Sequence, residues 1–528
     1  MPKWLKDAVF YEIYPQSFYD SNGDGIGDIQ GIIQKLDYVK DLGCNGIWLN
    51  PCFDSPFKDA GYDVRDYKKV APRYGTNEDL YQLFAEAHKK NIHVILDLVP
   101  GHTSEEHEWF IDSKKPENNK FSNRYVWTDS WFKRPEGFAF IGGEAERDGA
   151  YILNFFKCQP ALNYGFLNVK DGWQLPPNHP DCIATREALL DIMRFWLQHG
   201  ADGFRVDMAD SLVKNDDARK SGTSAVWKAA RAMLDKEFPE AFLVSEWSSP
   251  TLSLKAGFHA DFLLDHEGGG YRSLVRNYKI DWQGRKVVDD KSFFKKDGGV
   301  GIEKFLAQYQ PWYEETKNDG YISLITGNHD TPRLALNLDK SELALAYSVL
   351  LTMPGVPFIY YGDEIGMAYL DLPTKEGGYT RTGSRTPMQW SSSEPNAGFS
   401  AASPDQLYLP VDPRPDAPSV TLQQTKDSSL LNTVKALLRL RHTESDLQAI
   451  PNFEPISGKT LPIGTDPVPF VYKRGSLICA VNPHSKRTAS LLPTIGNGRY
   501  EKVFAIGECA LLNGECNMAP QSFGVWRI

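Results

Sequence analysis

The stretch GFRVDMAD, Gly203–Asp210, follows a predicted helix end at Gly200. Its centre predicts a short strand, and side chains two apart on a strand share a face, so Arg205 and Asp207 point the same way. An arginine beside a carboxylate favours the charged form, and a fixed, ionised carboxylate is what a nucleophile needs. From this stretch alone, an ordinary structural ion pair at a strand end is an equally good interpretation.

Similar apolar runs occur before and after this stretch, separated by segments with helical spacing. The predicted strands are Val9–Pro15, Gly46–Pro51, Val94–Val99, Phe204–Met208, Phe242–Trp247, Asp261–Asp265, Ile322–Asn328 and Val356–Gly362. They are continuously apolar, which is typical of parallel strands buried on both faces. Eight such strands alternating with helices, among them Ala184–His199 and Leu430–Arg441, predict an α/β fold with a closed (β/α)8 TIM barrel.

Two regions depart from this alternation. The polar, Trp- and Phe-rich residues 103–172 predict a subdomain inserted after strand 3, and the short β-rich runs after Asp446 predict a C-terminal antiparallel β-sandwich. The predicted organisation is residues 1–102 for the first part of the barrel, 103–172 for the subdomain, 173–446 for the barrel remainder and 447–528 for the sandwich. A long Gly/Pro/Ser-rich insertion at about Asp363–Asp427 is of a length that usually has a function.

Composition narrows the class of function. The chain has 528 residues, 41% hydrophobic and 24% charged, as in soluble globular proteins, and this length exceeds what one core usually holds. Its net charge of −10 argues against a nucleic-acid surface and against an anionic membrane patch, and favours a neutral small-molecule substrate. We expect a monomer or weak homo-oligomer.

Location is predicted from the N-terminus and the cysteines. The first 15 residues contain no long apolar run and no small-residue cleavage site, so we expect neither a signal peptide nor a membrane span. The seven cysteines are scattered and form no CxxC pair. Reduced thiols in a cytoplasmic protein are the simplest account.

Polar residues follow several of the predicted strands. Asp97 and His102 follow strand 3, Arg205 and Asp207 end strand 4, Glu246 ends strand 5, and Asn328, His329 and Asp330 end strand 7. In barrels of this type the chemistry lies at the carboxyl ends of the strands. Three carboxylates from three different strands would therefore converge on one mouth.

Six motifs carry a family resemblance. They are DLVPGHTS (Asp97–Ser104), GFRVDMAD, VSEW (Val244–Trp247), GNHDTPR (Gly327–Arg333), PGVPFIYYGDEIGM (Pro354–Met367) and RTPMQW (Arg385–Trp390). Together and in this order they resemble the α-amylase superfamily of glycoside hydrolases, and within it the oligo-1,6-glucosidase and α-glucosidase branch.

The resemblance implies roles for the matching residues. Asp207 would be the nucleophile, Glu246 the general acid/base, and Asp330 would help to stabilise the transition state. The substrate-binding residues would be Asp59, Tyr62, His102, Arg205, His329 and Arg385. Asp59 would bind the 4- and 6-hydroxyls of the nonreducing-end sugar, groups that exist only at a chain end, and so would favour exo action.

The chemistry independently requires such a set. Retaining glycoside cleavage needs one ionised and one protonated carboxyl about 5 Å apart. We expect Asp207, beside Arg205, to be ionised. Glu246 has no cation adjacent in sequence, and a drier site with two nearby acids would keep it protonated, as an acid that donates to the leaving oxygen must be.

The loop DSNGDGIGD, Asp20–Asp28, predicts a structural Ca²⁺ site. Oxygen ligands would come from the side chains of Asp20, Asn22, Asp24 and Asp28 and from the Ile26 carbonyl. The twelfth position of the loop is Gly31, so it is not an EF-hand. It resembles the Ca²⁺ site of the glucosidase branch, and the alternative is a polar turn without a metal.

Three positions depart from the branch. Gly101 stands where an asparagine usually precedes the histidine, Ala161 replaces an acid in a QPDLN-like motif, and Met208 follows the nucleophile where the branch has valine or alanine. Because that valine or alanine correlates with linkage preference, the sequence leaves the linkage open.

The leading hypothesis is a retaining exo-acting α-glucosidase that hydrolyses short α-glucosides through a covalent glucosyl-enzyme intermediate, with transglycosylation where a sugar replaces water. One alternative is a trehalose synthase, an α-glucan transferase or an amylase of the same superfamily. Another is a non-catalytic amylase-like partner subunit, which the retention of Asp207, Glu246 and Asp330 argues against.

Overall fold

Eight parallel strands form the centre of the fold. The computed structural model describes residues 1–281, 286–298, 301–456, 459–460, 469–492, 495 and 498–528. The central strands are β1 Phe10–Ile13, β2 Gly46–Leu49, β3 His93–Leu98, β4 Gly203–Val206, β5 Phe242–Ser245, β6 Ala260–Phe262, β7 Tyr321–Ser323 and β8 Phe358–Tyr360. Their residues are almost all buried, as strands covered on both faces require.

The strands close into a barrel. Their order is β7-β6-β5-β4-β3-β2-β1-β8, and each neighbouring pair is parallel. Past the end of β7, Ile325 pairs in parallel with Phe358 of β8, and the amide of Thr326 donates to the Phe358 carbonyl at 3.0 Å. This pairing joins the two ends of the sheet, so the predicted (β/α)8 barrel is confirmed.

Helices surround the barrel and connect its strands. They are α1 Ile29–Gln34, α2 Leu36–Leu42, α3 Asn77–Lys89, α4 Glu108–Ser113, α5 Pro180–Gln198, α6 Ser221–Glu237, α7 Pro250–Ala256, α8 Gly270–Val275, α9 Glu303–Thr316, α10 Lys340–Thr352, α11 Val420–Gln424 and α12 Leu430–Thr443.

Helix α3 illustrates how the sequence sets these elements. Thr76 and Asp79 form a reciprocal capping box at its first turn, which satisfies two backbone amides that have no partner within the helix. Leu80, Leu83 and Phe84 recur at helical spacing and are buried. The cap and the apolar stripe together fix where the helix begins and which face meets the barrel.

The region between β3 and α5 holds short elements of its own. Strands Phe140–Gly142 and Ala150–Ile152 pair antiparallel, and α4 precedes them. A small apolar cluster, separate from the barrel core, contains Val126, Ile152, Ala161 and Phe166. The inserted segment therefore has a small apolar cluster of its own, while other apolar residues in it, such as Phe110 and Trp127, belong to the barrel core.

Two antiparallel sheets follow α12. One contains, in spatial order, Phe453–Ile456, Phe470–Arg474, Leu477–Asn482, Ser522–Arg527 and Glu501–Ile506; the other contains Lys459–Thr460, Thr488–Leu491, Glu515–Met518 and Cys509–Leu512. Ile478 and Trp526 of the first sheet pack in one cluster with Leu511 and Cys516 of the second. This is the packing of the predicted sandwich.

Several strands are shorter than predicted. The sequence run Ile322–Asn328 gives a ladder that ends at Ser323, because the following residues turn toward β8 and the barrel mouth. The predicted domain boundaries stay predictions, and residues 461–468 of the predicted sandwich lie outside the described residues.

All seven cysteines are free thiols, and six of them are buried. Within the described residues, every helix is too short or too polar to cross a bilayer.

Candidate active site

A pocket of about 350 Å³ opens at the carboxyl ends of the barrel strands. It brings together six residues predicted from the sequence: Asp59, Tyr62, His102, Asp207, Glu246 and Asp330. It is also lined by seven residues that were not predicted as site residues: Phe155, Met208, Asp210, Trp247, Leu264, His266 and Arg381. The three predicted catalytic carboxylates thus meet at one site, as the convergence of strand ends requires.

Arg205 connects the acids on one side of this pocket. Its guanidinium is buried and pairs with Asp97 of β3 at 2.8 Å, with Asp207 after β4 at 3.1 Å, and with Glu246 after β5 at 2.8 Å. Asp97 lies directly opposite Arg205 in the β3–β4 register. One arginine therefore fixes the spacing of the predicted nucleophile and the predicted acid.

Three carboxylates share this single positive charge. Burial and the Glu246 carboxylate raise the pKa of Asp207 well above its ordinary value, although Arg205 opposes them. Burial likewise raises the pKa of Asp97 to about 6, against the effect of Arg205. Arg205 favours the charged form of Asp207, as expected from the sequence, but its guanidinium is shared with Asp97 and Glu246 and burial acts against it. Ionised Asp207 therefore stays a prediction.

The opposite side of the pocket has an excess of cations. Asp330 Oδ1 accepts from Arg381 at 3.0 Å and from Arg385 at 2.9 Å. Burial raises the pKa of Asp330, but the guanidinium groups of Arg381 and Arg385 outweigh it and hold the pKa well below the ordinary range. Asp330 is therefore ionised at neutral pH.

Beneath the pocket, Tyr62 and His329 form a buried layer. Their rings stack at 5.3 Å, and the Tyr62 hydroxyl lies 2.6 Å from His329 Nε2 and 2.9 Å from Asp97 Oδ2. The other ring nitrogen of His329 contacts Glu12 at 2.7 Å. Burial lowers the pKa of His329 well below its ordinary value, so the ring is neutral.

Asp59 lines the pocket and is itself buried. Its Oδ2 accepts from Gln159 at 2.7 Å, and its Oδ1 accepts from Arg381 at 3.4 Å. Burial raises the pKa of Asp59 to about 7, although Arg381 and Gln159 act against it. Arg381 thus contacts the acid expected to recognise a chain end and also the acid expected to stabilise the transition state.

His102 lines the pocket, and neighbouring groups fix the orientation of its ring. Its Nε2 donates to the Tyr62 carbonyl at 3.1 Å, which leaves Nδ1 to accept from Asn154 Nδ2 at 3.1 Å. Burial lowers its pKa to about 4, so the ring is neutral. Asn154 also lies 2.7 Å from where a Cβ at Gly101 would stand, so it fills the space left by the side chain missing there.

The sequence analysis did not identify two residues that contribute to the site. Arg381 lies within the long insertion after β8, where no strand or helix pattern gives its position, and its four-residue distance from Arg385 was the one available signal. Asn154 lies five residues before Gln159 in an irregular segment, and only the absence of a side chain at Gly101 pointed to a substitute.

The predicted Ca²⁺ loop is rich in oxygen, but its oxygens serve the loop itself. Asp20 accepts from the amides of Gly23 and Gly25, and Asp28 caps α1 by accepting from Gly31. Within the part of the chain that the structure describes, no three acidic, histidine or cysteine side chains are arranged to hold a metal ion. The donors are those that Ca²⁺ prefers, whereas their arrangement is that of hydrogen-bonded turns.

Comparison with known sequences agrees with the family resemblance of the six motifs. The family described as "Alpha amylase, catalytic domain" matches residues 12–449. The trehalose synthase/amylase TreS of Mycolicibacterium smegmatis is 34% identical over 501 residues, which cover 86% of this chain and 79% of that protein. The oligo-1,6-glucosidase of Heyndrickxia coagulans is 32% identical over 507 residues, covering 84% and 86%.

Among solved structures, the trehalulose synthase MutB of Pseudomonas mesoacidophila MX-45 superimposes with a TM-score of 0.78 at 24% identity, over 100% of both chains. At this identity the likeness concerns the fold.

Proposed function

Because the chain belongs to the α-amylase family of glycoside hydrolases, we propose that it is a retaining, exo-acting α-glucosidase that hydrolyses short α-glucosides through a covalent glucosyl-enzyme intermediate. The observation that carries this proposal is the meeting of Asp207, Glu246 and Asp330 around one pocket. The contact of Asp207 and Glu246 with the same guanidinium supports the short carboxyl separation that a retaining reaction needs.

In the first step, an Asp207 oxygen attacks the anomeric carbon while Glu246 donates its proton to the leaving glycosidic oxygen. In the second step, Glu246 takes a proton from water, and the water oxygen displaces Asp207 from the sugar. Asp330, ionised between two arginines, would accept hydrogen bonds from sugar hydroxyls that strengthen as the ring flattens. Arg205 would balance whichever carboxylate is charged at each stage.

Exo action is supported by the burial of Asp59 in the wall of the pocket. Asp59 is buried and bound by Gln159 and Arg381, so a sugar chain meets protein there. A terminal glucosyl unit would place its outermost hydroxyls against this wall. We propose no linkage preference, because Met208 follows Asp207 at the position where the branch has valine or alanine.

A second candidate is an isomerase or transferase reaction of the trehalose-synthase kind. The 34% identity to TreS favours it, and so does the apolar acceptor side formed by Met208 and Phe155, which could retain a released sugar. Chemically it needs the same glucosyl-enzyme and a different acceptor in the second step.

Product analysis separates the candidates. We expect maltose to yield glucose, whereas an isomerase would yield trehalose and a transferase would yield longer oligomers. Isomaltose, trehalose, sucrose and a maltodextrin assayed in parallel would give the linkage and chain length. If near-UV circular dichroism shows a folded protein and none of the five sugars is cleaved, the proposal is overturned.

Ca²⁺ at Asp20, Asn22, Asp24, Ile26 and Asp28 is kept as a structural proposal. The oxygen donors support it, and the turn geometry of the loop does not require it. The ion would hold the first βα connection, where Gly25 adopts φ +92° against the backbone of Gln406.

A further inference from the structure

A second cavity lies next to the wall of the catalytic pocket that contains Asp59. It has a volume of about 350 Å³ and is lined by Lys58, Glu105, Phe156, Lys157, Cys158, Gly377 and Tyr379. These residues are sequence neighbours of the wall of the first pocket, since Lys58 precedes Asp59 and Tyr379 lies two residues before Arg381. The two cavities therefore share one wall.

That wall is one backbone thick at Gly377. A Cβ built on this glycine would stand 3.3 Å from Asp59 Oδ1 and 3.3 Å from the Phe156 ring, so the residue touches both cavities. Its φ is +66°, and a Cβ here would stand only 2.8 Å from the Lys58 carbonyl oxygen, so a side chain at this position would be strained. The carbonyl of Gly377 also accepts from Arg381 at 2.7 Å, which ties the partition to the catalytic side.

A row of aromatic rings leads from the catalytic pocket to the second cavity. Phe155 lines the first and is 51% exposed, and Phe156 lines the second, with the ring centroids 4.5 Å apart. Tyr379, 58% exposed, stands 5.8 Å beyond Phe156. Exposed, contiguous aromatic surface beside a cleft marks a binding site, and flat rings suit the apolar faces of sugars.

The backbone that presents Tyr379 is strained. Its φ is +48°, and that of Glu376 is +46°, in a region that residues with side chains rarely adopt. Glu376 is anchored by Arg73 at 2.9 Å, which holds the segment in place. Strain of this kind persists where the surroundings enforce it and is concentrated at ligand sites.

The charges at the rim indicate a neutral ligand. Lys58 pairs with Glu105 at 2.8 Å and with Glu106 at 3.0 Å, and Lys157 pairs with Glu144 at 2.9 Å. Paired lysines offer hydrogen bonds to hydroxyl groups but little net attraction for phosphate or carboxylate. A polyhydroxyl ligand with an apolar face meets both requirements.

From the shared wall, the aromatic row and the paired lysines at the rim, we propose that the cavity of Phe156 and Tyr379 is a second saccharide site that binds a glucosyl unit of an α-glucan. The choice of a glucan rests on the proposed function, whereas the existence of a neutral-sugar site does not. A chain held there lies beside the catalytic pocket without entering it. Longer substrates would thereby be retained near the site of cleavage.

The test counts bound maltotriose by equilibrium dialysis, in an Asp207→Asn background that leaves the sugar intact. We expect two maltotriose molecules per chain. The additional change Tyr379→Ala should leave one, whereas Tyr379→Phe, which keeps the ring, should leave two. Trp131→Ala removes a similarly exposed aromatic residue outside both cavities and is the matched control, again with two expected.

The outcomes distinguish this proposal from the proposed function. One bound sugar in the parent, or an equal count with and without the Tyr379 ring, overturns the second site whatever the enzyme hydrolyses. Loss of both sugars in Tyr379→Ala with an unchanged melting temperature also overturns it, since the cavity would then be part of the catalytic pocket. In the otherwise wild-type enzyme, Tyr379→Ala should leave maltose turnover unchanged and raise KM for maltohexaose by about fivefold.

Discussion

The two sides of the catalytic pocket balance charge in opposite ways. On one side Asp97, Asp207 and Glu246 share the single guanidinium of Arg205; on the other, Asp330 is paired with both Arg381 and Arg385. Burial raises the pKa of both Asp207 and Asp330, but Asp207 shares one guanidinium with two other acids, whereas Asp330 is flanked by two arginines. The same pocket thereby contains one acid whose pKa is raised, Asp207, and one whose pKa is lowered, Asp330.

The largest expected effect comes from removing the nucleophile on the cation-poor side. Asp207→Asn should lower kcat on maltose by about 10³-fold or more, because the amide cannot form the glucosyl ester. Asp210→Asn is the matched control, since Asp210 lines the same pocket but pairs with Lys220 at 3.3 Å and not with Arg205. Steady-state rates of both variants are to be compared, and a comparable loss in the two would remove Asp207 from its assigned role.

The next effect tests which acid donates the proton. Glu246→Gln should lower turnover of maltose by about 10²- to 10⁴-fold, because the leaving oxygen is no longer protonated. An aryl glucoside whose leaving group departs without protonation should lose far less. Equal losses on the two substrates, measured by initial rates, would show that Glu246 is not the acid.

On the side of the pocket that contains Arg381 and Arg385, we expect a smaller effect that depends on pH. Asp59 has a pKa raised to about 7, so its carboxyl becomes protonated and loses its ion pair with Arg381 as the pH falls through that value. We expect kcat/KM for maltose to fall by up to about tenfold per pH unit on that limb, and Asp59→Asn to abolish the limb.

Stability should move in the opposite direction. A carboxyl whose pKa is raised by folding stabilises the fold below its unfolded pKa, and that contribution is lost as the pH rises through about 7. Asp59→Asn should therefore gain melting temperature relative to wild type above pH 7 and not at pH 4. A gain confined to acidic pH in thermal scans would contradict the assigned direction.

The smallest expected effect concerns the third acidic region, Asp20–Asp28, which faces no cation-rich wall. If Ca²⁺ balances its charge, a chelator should lower the melting temperature by about 3 °C with no change in the turnover of enzyme that stays folded. Asp20→Asn should abolish this shift. Identical thermal scans with and without chelator would leave the loop as a hydrogen-bonded turn.

The barrel and its mouth could be predicted because both follow from local patterns. Apolar runs of strand length alternating with helices define a parallel barrel, and barrel geometry then brings Asp207 and Glu246 to one edge. The six motifs supplied their roles by resemblance.

Protonation could not be predicted in the same way. The sequence places Arg205 two residues from Asp207, but only the β3–β4 register shows that Asp97 draws on the same charge. Arg381 and Asn154 were missed for a related reason, since each reaches the pocket from an irregular segment whose path depends on distant packing. Contacts that depend on three structural elements at once produce no periodic pattern in the sequence.

The Arg205 contacts have a consequence for how such an enzyme can diversify. The guanidinium spans three adjacent strands and touches an acid from each, so the distance between the proposed nucleophile and the proposed proton donor is set inside the rigid wall of the barrel. Phe155 and Arg381 line the same pocket from segments outside the barrel strands. Insertions or substitutions in those segments can change the product, while the acids held by Arg205 keep their spacing.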